Sequence, residues 1–368
     1  MNNSEQFMRL AIELAHGGEG WTNPNPLVGA VIVKDGKIIG QGFHKRYGGL
    51  HAEREALADC ERKGNSPKGA EAFVTLEPCA HFGKQPPCCR ALVEAGISKV
   101  YVGSRDPNPL VAGKGNAYLR ENDVEVVEDF LRSECDELNP IFFKYITTGR
   151  PFVALKYAMT MDGKIATKSG QSKWITCEAS RNHVQKLRNR YSAILCGIGT
   201  VLKDDPMLNC RIEGGNNPLR IICDSNLRIP LESKIVKTAK EIPTLIVSVK
   251  ENDLALSKKK QELEEKGLEV LFLPSDSDGH LSLSSLLDVL SERKIDSLLI
   301  EGGSEINYSF LKDNLVDYIY VFLAPKIFGG NGKSPVAGEG VSLPDQGYNF
   351  KYKKSQIFEN DILLEFAK

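Results

Sequence analysis

Apolar positions change spacing repeatedly along this chain, and each change marks an element. Residues 4–16 carry apolar side chains three and four apart, which predicts an amphipathic helix with Ser4 as its N-cap. The period then drops to two. Residues 28–33 and 37–43 read as strands of a hairpin around Asp35-Gly36. A helix over 51–63, a short buried strand at 72–76, a helix over 88–95 and a strand at 99–103 follow. Strand–helix alternation continues to a helix near 131–147. The order αββαβαβ predicts a three-layer α/β/α domain.

Gly149-Arg150-Pro151 is a breaker run between a helix and a new strand, so it divides the chain into domains 1–149 and 150–368. The second domain reads as a strand at 152–159, a turn at 161–164, a helix over 178–190 and a strand at 193–196. Further strands are expected at 219–223, 244–249, 269–273, 297–300 and 318–323, which makes this domain α/β too. The lysine- and glutamate-rich stretch 250–266 reads as a solvated helix face.

Bulk composition excludes more than it assigns. With 368 residues, 26% of them charged and a formal net charge of −1, the chain has no strong field to draw in nucleic acid or an anionic membrane. A local phosphate pocket is still allowed. Nine scattered cysteines do not form a disulfide framework, and the acid-containing N-terminal stretch is unlike a signal peptide. No apolar run approaches a membrane span. A reducing cytoplasm is the expected location.

The chemistry concentrates at His51-Ala52-Glu53, Pro78-Cys79 and Pro87-Cys88-Cys89. One imidazole and two thiolates make a three-ligand zinc set that leaves the fourth position open for water, as catalytic sites do. Glu53, two residues from the His, suits a proton shuttle, and the pattern approximates the H-x-E…P-C-x-x-C signature of nucleobase deaminases. Here Ala80 to Pro87 separate the two Pro-Cys cysteines, so the third ligand needs an argument. Cys88 shares a helical face with Ala91, Leu92 and Ala95, whereas Cys89 points about 100° away. Cys88 is therefore the expected ligand, and Cys89 and His81 are not. Buried structural cysteines are the competing reading of any single one of these residues.

Three further residues sit near this set. Asn25, before Pro26, reads either as a reader of a base edge or as a turn former. His44 reads as a contact for a substrate hydroxyl or phosphate, or as a loop residue. Lys84 reads as a phosphate contact or as an ordinary surface cation. In the second domain Glu301-Gly302-Gly303-Ser304 follows a strand and opens a helix, and Gly197-Ile198-Gly199-Thr200 follows another. Such turns let a backbone approach a pyrophosphate, but neither is a full dinucleotide fingerprint, and tight turns explain them equally. Ala154, Lys156 and Ala158 share one strand face, which suits a flat ring lying over the strand; a satisfied lysine at a sheet edge is the competing reading.

The segments T-N-P-N-P-L-V-G-A (22–30), H-A-E (51–53), T-L-E-P-C-A-H-F-G-K-Q-P-P-C-C (75–89) and R-D-P-N-P-L-V-A-G-K-G (105–115) together resemble the bifunctional riboflavin-biosynthesis deaminase–reductases. The resemblance continues through 156–166, 172–176, 199–206 and 301–304. It implies a cytidine-deaminase-like first domain and a dihydrofolate-reductase-like second domain. The implied activity is hydrolysis of the 2-amino group of a diaminopyrimidinone ribosylamino phosphate, then NADPH-dependent reduction of ribosyl to ribityl. His51, Cys79 and Cys88 become zinc ligands, Glu53 the proton shuttle, and Asn25, His44 and Lys84 substrate contacts. Ala158, Trp174, Thr200, Asp204, Ser225 and Gly303 fall near the nicotinamide nucleotide. Ser172, Arg188, Leu208, Arg211 and Glu301 fall near the sugar phosphate, and Lys156 is the candidate acid or base. Ala80 stands where the family usually has Ser, and Thr160-Met161 where it often has Ser-Leu. The implied partners are a small phosphorylated pyrimidine and further copies of the chain in a dimer or tetramer, with neither nucleic acid nor membrane. The rival readings are a nucleoside or tRNA deaminase with an accessory domain, disfavoured by the near-neutral charge, and a non-catalytic zinc scaffold, disfavoured by Glu53 and the open ligand position.

Overall fold

The computed structural model of the chain describes residues 3–82, 86–108, 111–249 and 254–368. It divides into two compact units, Met1–Gly149 and Arg150–Lys368. Among the described residues no helix is long and apolar enough to cross a membrane.

The first unit runs α1 (Asn3–Ala15), β1 (Gly29–Lys34), β2 (Lys37–Phe43), α2 (Ala52–Arg62), β3 (Glu71–Leu76), α3 (Cys88–Glu94), β4 (Lys99–Ser104), α4 (Lys114–Glu121), β5 (Glu125–Val127), α5 (Arg132–Asp136) and α6 (Pro140–Thr148). Its sheet has the order β2-β1-β3-β4-β5. Strand alternation builds the layers. Ala30 and Ile32 of β1 face one core with Ala56 of α2, Leu92 of α3 and Leu119 of α4. Val31 and Val33 face the other, with Met8 and Ala11 of α1 and Cys135 of α5. Asp35 and Gly36 both have positive φ, 51° and 74°, which closes the β1–β2 hairpin in the primed turn that strand twist favours. Gly40 lets α2 lie directly on β2, because a Cβ there would meet the Ala56 carbonyl oxygen at 2.4 Å. That close seat fixes where the first residues of α2 emerge.

Two details differ from the sequence expectation. Ser4 lies inside α1, which already begins at Asn3. The helix expected near 131–147 is two helices, since Pro140 cannot donate a backbone hydrogen bond and bars its predecessor from helical geometry. Asn139 instead has φ −122° and ψ 34°. Its side chain accepts from Leu27 N and donates to Leu27 O, both at 2.8 Å, which ties α6 to the segment before β1.

The second unit runs β6 (Phe152–Thr160), α7 (Glu178–Arg190), β7 (Ala193–Gly197), α8 (Ile198–Asp204), β8 (Leu219–Cys223), α9 (Lys234–Lys237), β9 (Thr244–Val249), α10 (Leu254–Glu265), β10 (Glu269–Leu273), α11 (Leu283–Glu292), β11 (Ser297–Ile300), α12 (Ser304–Lys312), β12 (Tyr318–Ala324), β13 (Lys351–Phe358) and β14 (Asp361–Ala367). The first four residues of the stretch 250–266 lie outside the described residues, and most of the remainder forms α10.

The sheet order is β10-β9-β8-β7-β11-β6-β12-β14-β13, parallel from β10 to β12 and antiparallel beyond. The central strands are buried on both faces, which explains their unbroken apolar runs. Leu195 and Ile300 pack with Leu286 of α11 and Phe310 of α12. Ile194, Cys196 and Ile222 pack on the opposite side with Val201 of α8 and Ile235 of α9. β11 returns late in the chain to sit between β7 and β6. The winding direction therefore reverses at those strands, and a crevice opens beyond their carboxyl ends.

Candidate active sites

In the first unit two helix starts converge. His51 is the N-cap of α2, with extended backbone, and Cys88 opens α3 behind Pro87. Cys79 follows the end of β3. His51 Nδ1 lies 3.5 Å from Cys79 Sγ and 3.4 Å from Cys88 Sγ, and the three donor atoms all lie within 4.8 Å of one another. Zinc–sulfur bonds of about 2.3 Å and zinc–nitrogen bonds of about 2.0 Å give tetrahedral edges of about 3.5 to 3.8 Å. The donor set fits a zinc ion in both chemistry and spacing. Cys89 points into the core beside Leu92 and is 1% exposed. All nine cysteines are free.

The electrostatics separate the groups. A hydrogen bond from Cys88, against burial and with help from His51, pulls the Cys79 thiol below its ordinary value, while Cys88 as its donor is held up. Glu53 sits in the first turn of α2 and is 4% exposed. Burial, then the charge of Cys79, pushes its carboxyl up to about 7.

Asn25 and His44 come together beside this set. Asn25 Nδ2 lies 3.2 Å from His44 Nε2, and His44 Nδ1 lies 2.9 Å from Leu50 O. A carbonyl can only accept, so Nδ1 carries the proton and Nε2 accepts from the amide. Burial lowers the His44 pKa, which keeps the ring neutral. These residues line a cavity of about 340 Å³ with His51, Glu53, Cys79 and His81, and Phe142, Tyr145 and Ile146 of α6 form an apolar wall. Lys84 lies outside the described residues.

Sequence reasoning gave no role to three acidic or amide residues here. Asp106 and Asn108 line the same cavity, and burial pushes the Asp106 carboxyl up to about 6. Glu77 is 4% exposed, and its carboxylate accepts from the backbone N–H groups of Gly113, Gly115 and Asn116 at 3.0, 3.0 and 3.4 Å. The signal was present in T-L-E-P-C and R-D-P-N-P, but only as motif, without partners.

In the second unit the crevice collects a charged core. Glu301, just past β11, accepts from Arg188 Nε at 2.7 Å and Nη2 at 3.0 Å, and from Lys156 Nζ at 3.4 Å. Arg188 Nη1 donates to Asn209 O at 3.0 Å, next to the buried Leu208. Burial opposes charge on Glu301, but Arg188 and then Lys156 hold its carboxyl down to about 2. Arg211 is exposed, and its backbone N–H donates to Gln185 Oε1 at 3.1 Å.

Of the residues tied to the nucleotide by resemblance, Thr200 and Gly303 stand together. Gly302 and Gly303 have φ of 120° and 84°, a conformation costly for any residue with a Cβ. A Cβ on Gly302 would meet Thr200 Oγ1 at 3.5 Å, and one on Gly199 would meet nothing within 4 Å. These two bare turns, at the ends of β7 and β11 and opening α8 and α12, fit a dinucleotide backbone. Ala158 lies near the end of β6, on the face of Lys156. Asp204 ends α8, and its carbonyl accepts from Lys173 Nζ at 3.4 Å. Ser225 follows β8, lines a cavity of about 830 Å³ and accepts at its carbonyl from Ser248 Oγ. Ser172 and Trp174 lie on the segment after β6; Ser172 is half-buried, while Trp174 is 64% exposed with the Arg181 guanidinium 4.6 Å from its ring centre.

Fold and sites together define a zinc-dependent deaminase joined to a nicotinamide-dependent reductase. Residues 1–104 match the cytidine and deoxycytidylate deaminase zinc-binding region, and residues 151–364 match the RibD C-terminal domain. The riboflavin biosynthesis protein RibD of Actinobacillus pleuropneumoniae is 51% identical over 98% of this chain and 94% of its own. That of Aquifex aeolicus is 42% identical over 99% and 98%. The crystal structure of a diaminohydroxyphosphoribosylaminopyrimidine deaminase/5-amino-6-(5-phosphoribosylamino)uracil reductase from Thermotoga maritima superposes with a TM-score of 0.85 at 41% identity, covering 99% of this chain and 98% of that one. The chain belongs to the RibD family, the bifunctional deaminase–reductases of riboflavin biosynthesis. A tRNA deaminase and a non-catalytic scaffold are thereby set aside.

Proposed function

We propose that the two units act in turn on one phosphorylated pyrimidine. Met1–Gly149 hydrolyses the 2-amino group of 2,5-diamino-6-ribosylamino-4(3H)-pyrimidinone 5′-phosphate, and Arg150–Lys368 then reduces the ribosyl side chain to ribityl with NADPH. His51, Cys79 and Cys88 hold zinc. When bound, the ion supplies a water made nucleophilic near neutral pH. Glu53 passes one proton of the attacking water to the ring nitrogen and then, as the C–N bond breaks, carries the second, from the new hydroxyl, to the departing amine, which leaves as ammonia. The first turns of α2 and α3 favour the negative charge that develops there. Asn25 and the neutral His44 orient the pyrimidine and its sugar, and Lys84 meets the phosphate by charge. The α6 wall keeps bulk water off the reacting carbon.

In the second unit Ala158, Trp174, Thr200, Asp204, Ser225 and Gly303 seat NADPH, which supplies the hydride. Ser172, Arg188, Leu208, Arg211 and Glu301 hold the sugar phosphate, and Lys156 is placed to protonate the oxygen that the reduction leaves charged. The enzyme works in the cytoplasm as a dimer or tetramer.

The observation that carries this reading is the convergence of three soft donors on a buried glutamate in a chain that matches RibD proteins nearly end to end. The test is ammonia release from the diaminopyrimidinone phosphate by the full chain and by Glu53→Gln. The variant is expected to keep its zinc, lose deamination by about 10²- to 10⁴-fold, and still oxidise NADPH on the deaminated product. Loss of both activities together would contradict two separate sites.

A further inference from the structure

Arg220, in β8, is 0% exposed and is the bulkiest of the fully buried side chains among the described residues. Its guanidinium is answered only by neutral oxygens. Nε donates to Thr244 Oγ1 at 3.0 Å; Nη1 donates to Thr238 Oγ1 at 2.8 Å and to Met207 O at 3.1 Å. Nη2 donates to Ile235 O, Ile242 O and Thr244 Oγ1 at 3.0, 3.1 and 2.7 Å. A buried cation with no carboxylate among its hydrogen-bond partners is costly, even with the charge of Glu241 acting on it from farther away, and an apolar side chain would fill the same space at less cost. What an apolar side chain cannot do is tie these oxygens together.

All but one of those oxygens belong to a framework: α9, its C-terminal turn and β9 with the residues just before it. The exception, the Met207 carbonyl, belongs to the loop after α8. That loop is conformationally expensive. Asp205 and Leu208 both have positive φ, 40° and 48°, which residues with side chains adopt only when their surroundings over-determine them. Arg220 holds it at Met207, Arg188 holds it two residues later at Asn209 O, and Gln185 holds it at Arg211 N. Leu208, between the two guanidinium contacts, is 3% exposed in the core that includes Ile194 and Ile222.

The geometry points to Arg220 as a positioning residue of the reductase: by fixing the Met207 carbonyl it sets the loop that Leu208 anchors in the core and that presents Arg211, and steadies Arg188, for an anionic sugar-phosphate substrate. This rests on the reading of Leu208, Arg211 and Arg188 as substrate residues. Arg220 itself touches neither substrate nor cofactor. Its loss is therefore expected in substrate affinity, not in the hydride step.

The test uses the full chain and four variants: Arg220→Lys, Thr238→Val, Arg211→Ala and the Arg220→Lys/Arg211→Ala double variant. Arg220→Lys keeps the charge but loses the fork. It is expected to raise KM for the deaminated, phosphorylated substrate about tenfold, with kcat and the KM for NADPH within about twofold. Ammonia release should not change. Thr238→Val strips one acceptor from Nη1, the nitrogen on Met207, and should raise the same KM about threefold. In the double variant the KM should rise little beyond that of Arg211→Ala alone, because both changes disable one loop. If Arg220→Lys does not fold, Thr238→Val decides the question alone. A substrate KM untouched in every folded variant of Arg220 and Thr238 while Arg211→Ala raises it would overturn the positioning role. So would a parallel fall in kcat and NADPH affinity, which marks general loosening. An unchanged KM in Arg211→Ala would remove the substrate-site reading itself, and the proposal with it.

Discussion

Arg188 and Glu301 face each other in the reductase crevice through two parallel hydrogen bonds, Nε to Oε1 at 2.7 Å and Nη2 to Oε2 at 3.0 Å. Arg188 is thus a counter-ion first: Nε and Nη2 bond Glu301 and the remaining Nη1 bonds Asn209 O. Both side chains are largely buried, at 12% and 5% exposure. Removing one member of a buried pair with no other partner costs about 3–5 kcal/mol; that is the upper bound here, because Lys156 Nζ stays 3.4 Å from Glu301. Arg188→Ala is expected to lose stability within that bound and to raise the reductase substrate KM, while zinc content and ammonia release stay normal. Unchanged reductase kinetics would refute its place in the substrate site.

The same pair gives a pH dependence with a definite sign. Glu301 has a folded pKa of about 2, below the ordinary glutamate value of about 4.3. Its contribution is complete above the unfolded value and disappears as pH falls from about 4.3 through about 2, because the unfolded chain then binds the proton more readily. Urea midpoints measured against pH should show this acid limb in the parent and a shallower one in Glu301→Gln. Equal slopes would mean that Glu301 is not held ionised by its partners.

In the first unit, Glu77 and Gly115 govern the position of a metal ligand. The Glu77 carboxylate gathers the N–H groups that open α4, and a Cβ on Gly115 would lie 1.8 Å from the Pro78 carbonyl oxygen. Pro78 is backbone that cannot yield without moving Cys79. Gly115→Ala is therefore expected to lower zinc occupancy and the thermal midpoint together. Glu77→Gln, which keeps one acceptor oxygen, should lower the midpoint more mildly and retain most of the zinc. Metal analysis beside a melting curve separates the two; normal zinc occupancy in Gly115→Ala would show that the turn can move without the ligand.

These relationships explain what the sequence could and could not reveal. The span Glu178–Arg190 and the strands Leu219–Cys223, Glu269–Leu273 and Ser297–Ile300 stand where periodicity puts them, because burial of one stripe or of both faces writes itself into local spacing. Pro140 is a visible breaker, but it stands inside an apolar run whose spacing alone describes one helix. The terminal hairpin, β13 and β14, is not legible: Lys351–Ile357 is exposed throughout and has no apolar alternation to reveal an edge strand.

The site divides the same way. His51, Glu53 and Cys88 stand at helix starts, where residue type and chain position together carry the chemistry. Arg188 and Glu301 lie 113 positions apart, and nothing beside Arg220 in the chain foretells the oxygens gathered around it. Long-range partners follow from topology, which spacing does not encode.

The adjacent cysteines Cys88 and Cys89 offer the most direct check on the metal centre. One helical step separates a thiol 3.4 Å from His51 Nδ1 from a thiol packed against Leu92. Cys88→Ser replaces a soft donor with a hard hydroxyl and is expected to release zinc and abolish ammonia production. Cys89→Ser buries a hydroxyl among apolar neighbours at a cost of about 1–3 kcal/mol. It should lower the melting temperature while keeping one zinc per chain and near-parent deamination. Chelation of the parent followed by readdition of zinc should remove and restore ammonia release and leave NADPH oxidation on the deaminated substrate unaffected. If Cys89→Ser lost the metal and Cys88→Ser kept it, α3 would be turned by one residue and Cys89, not Cys88, would complete the ligand set.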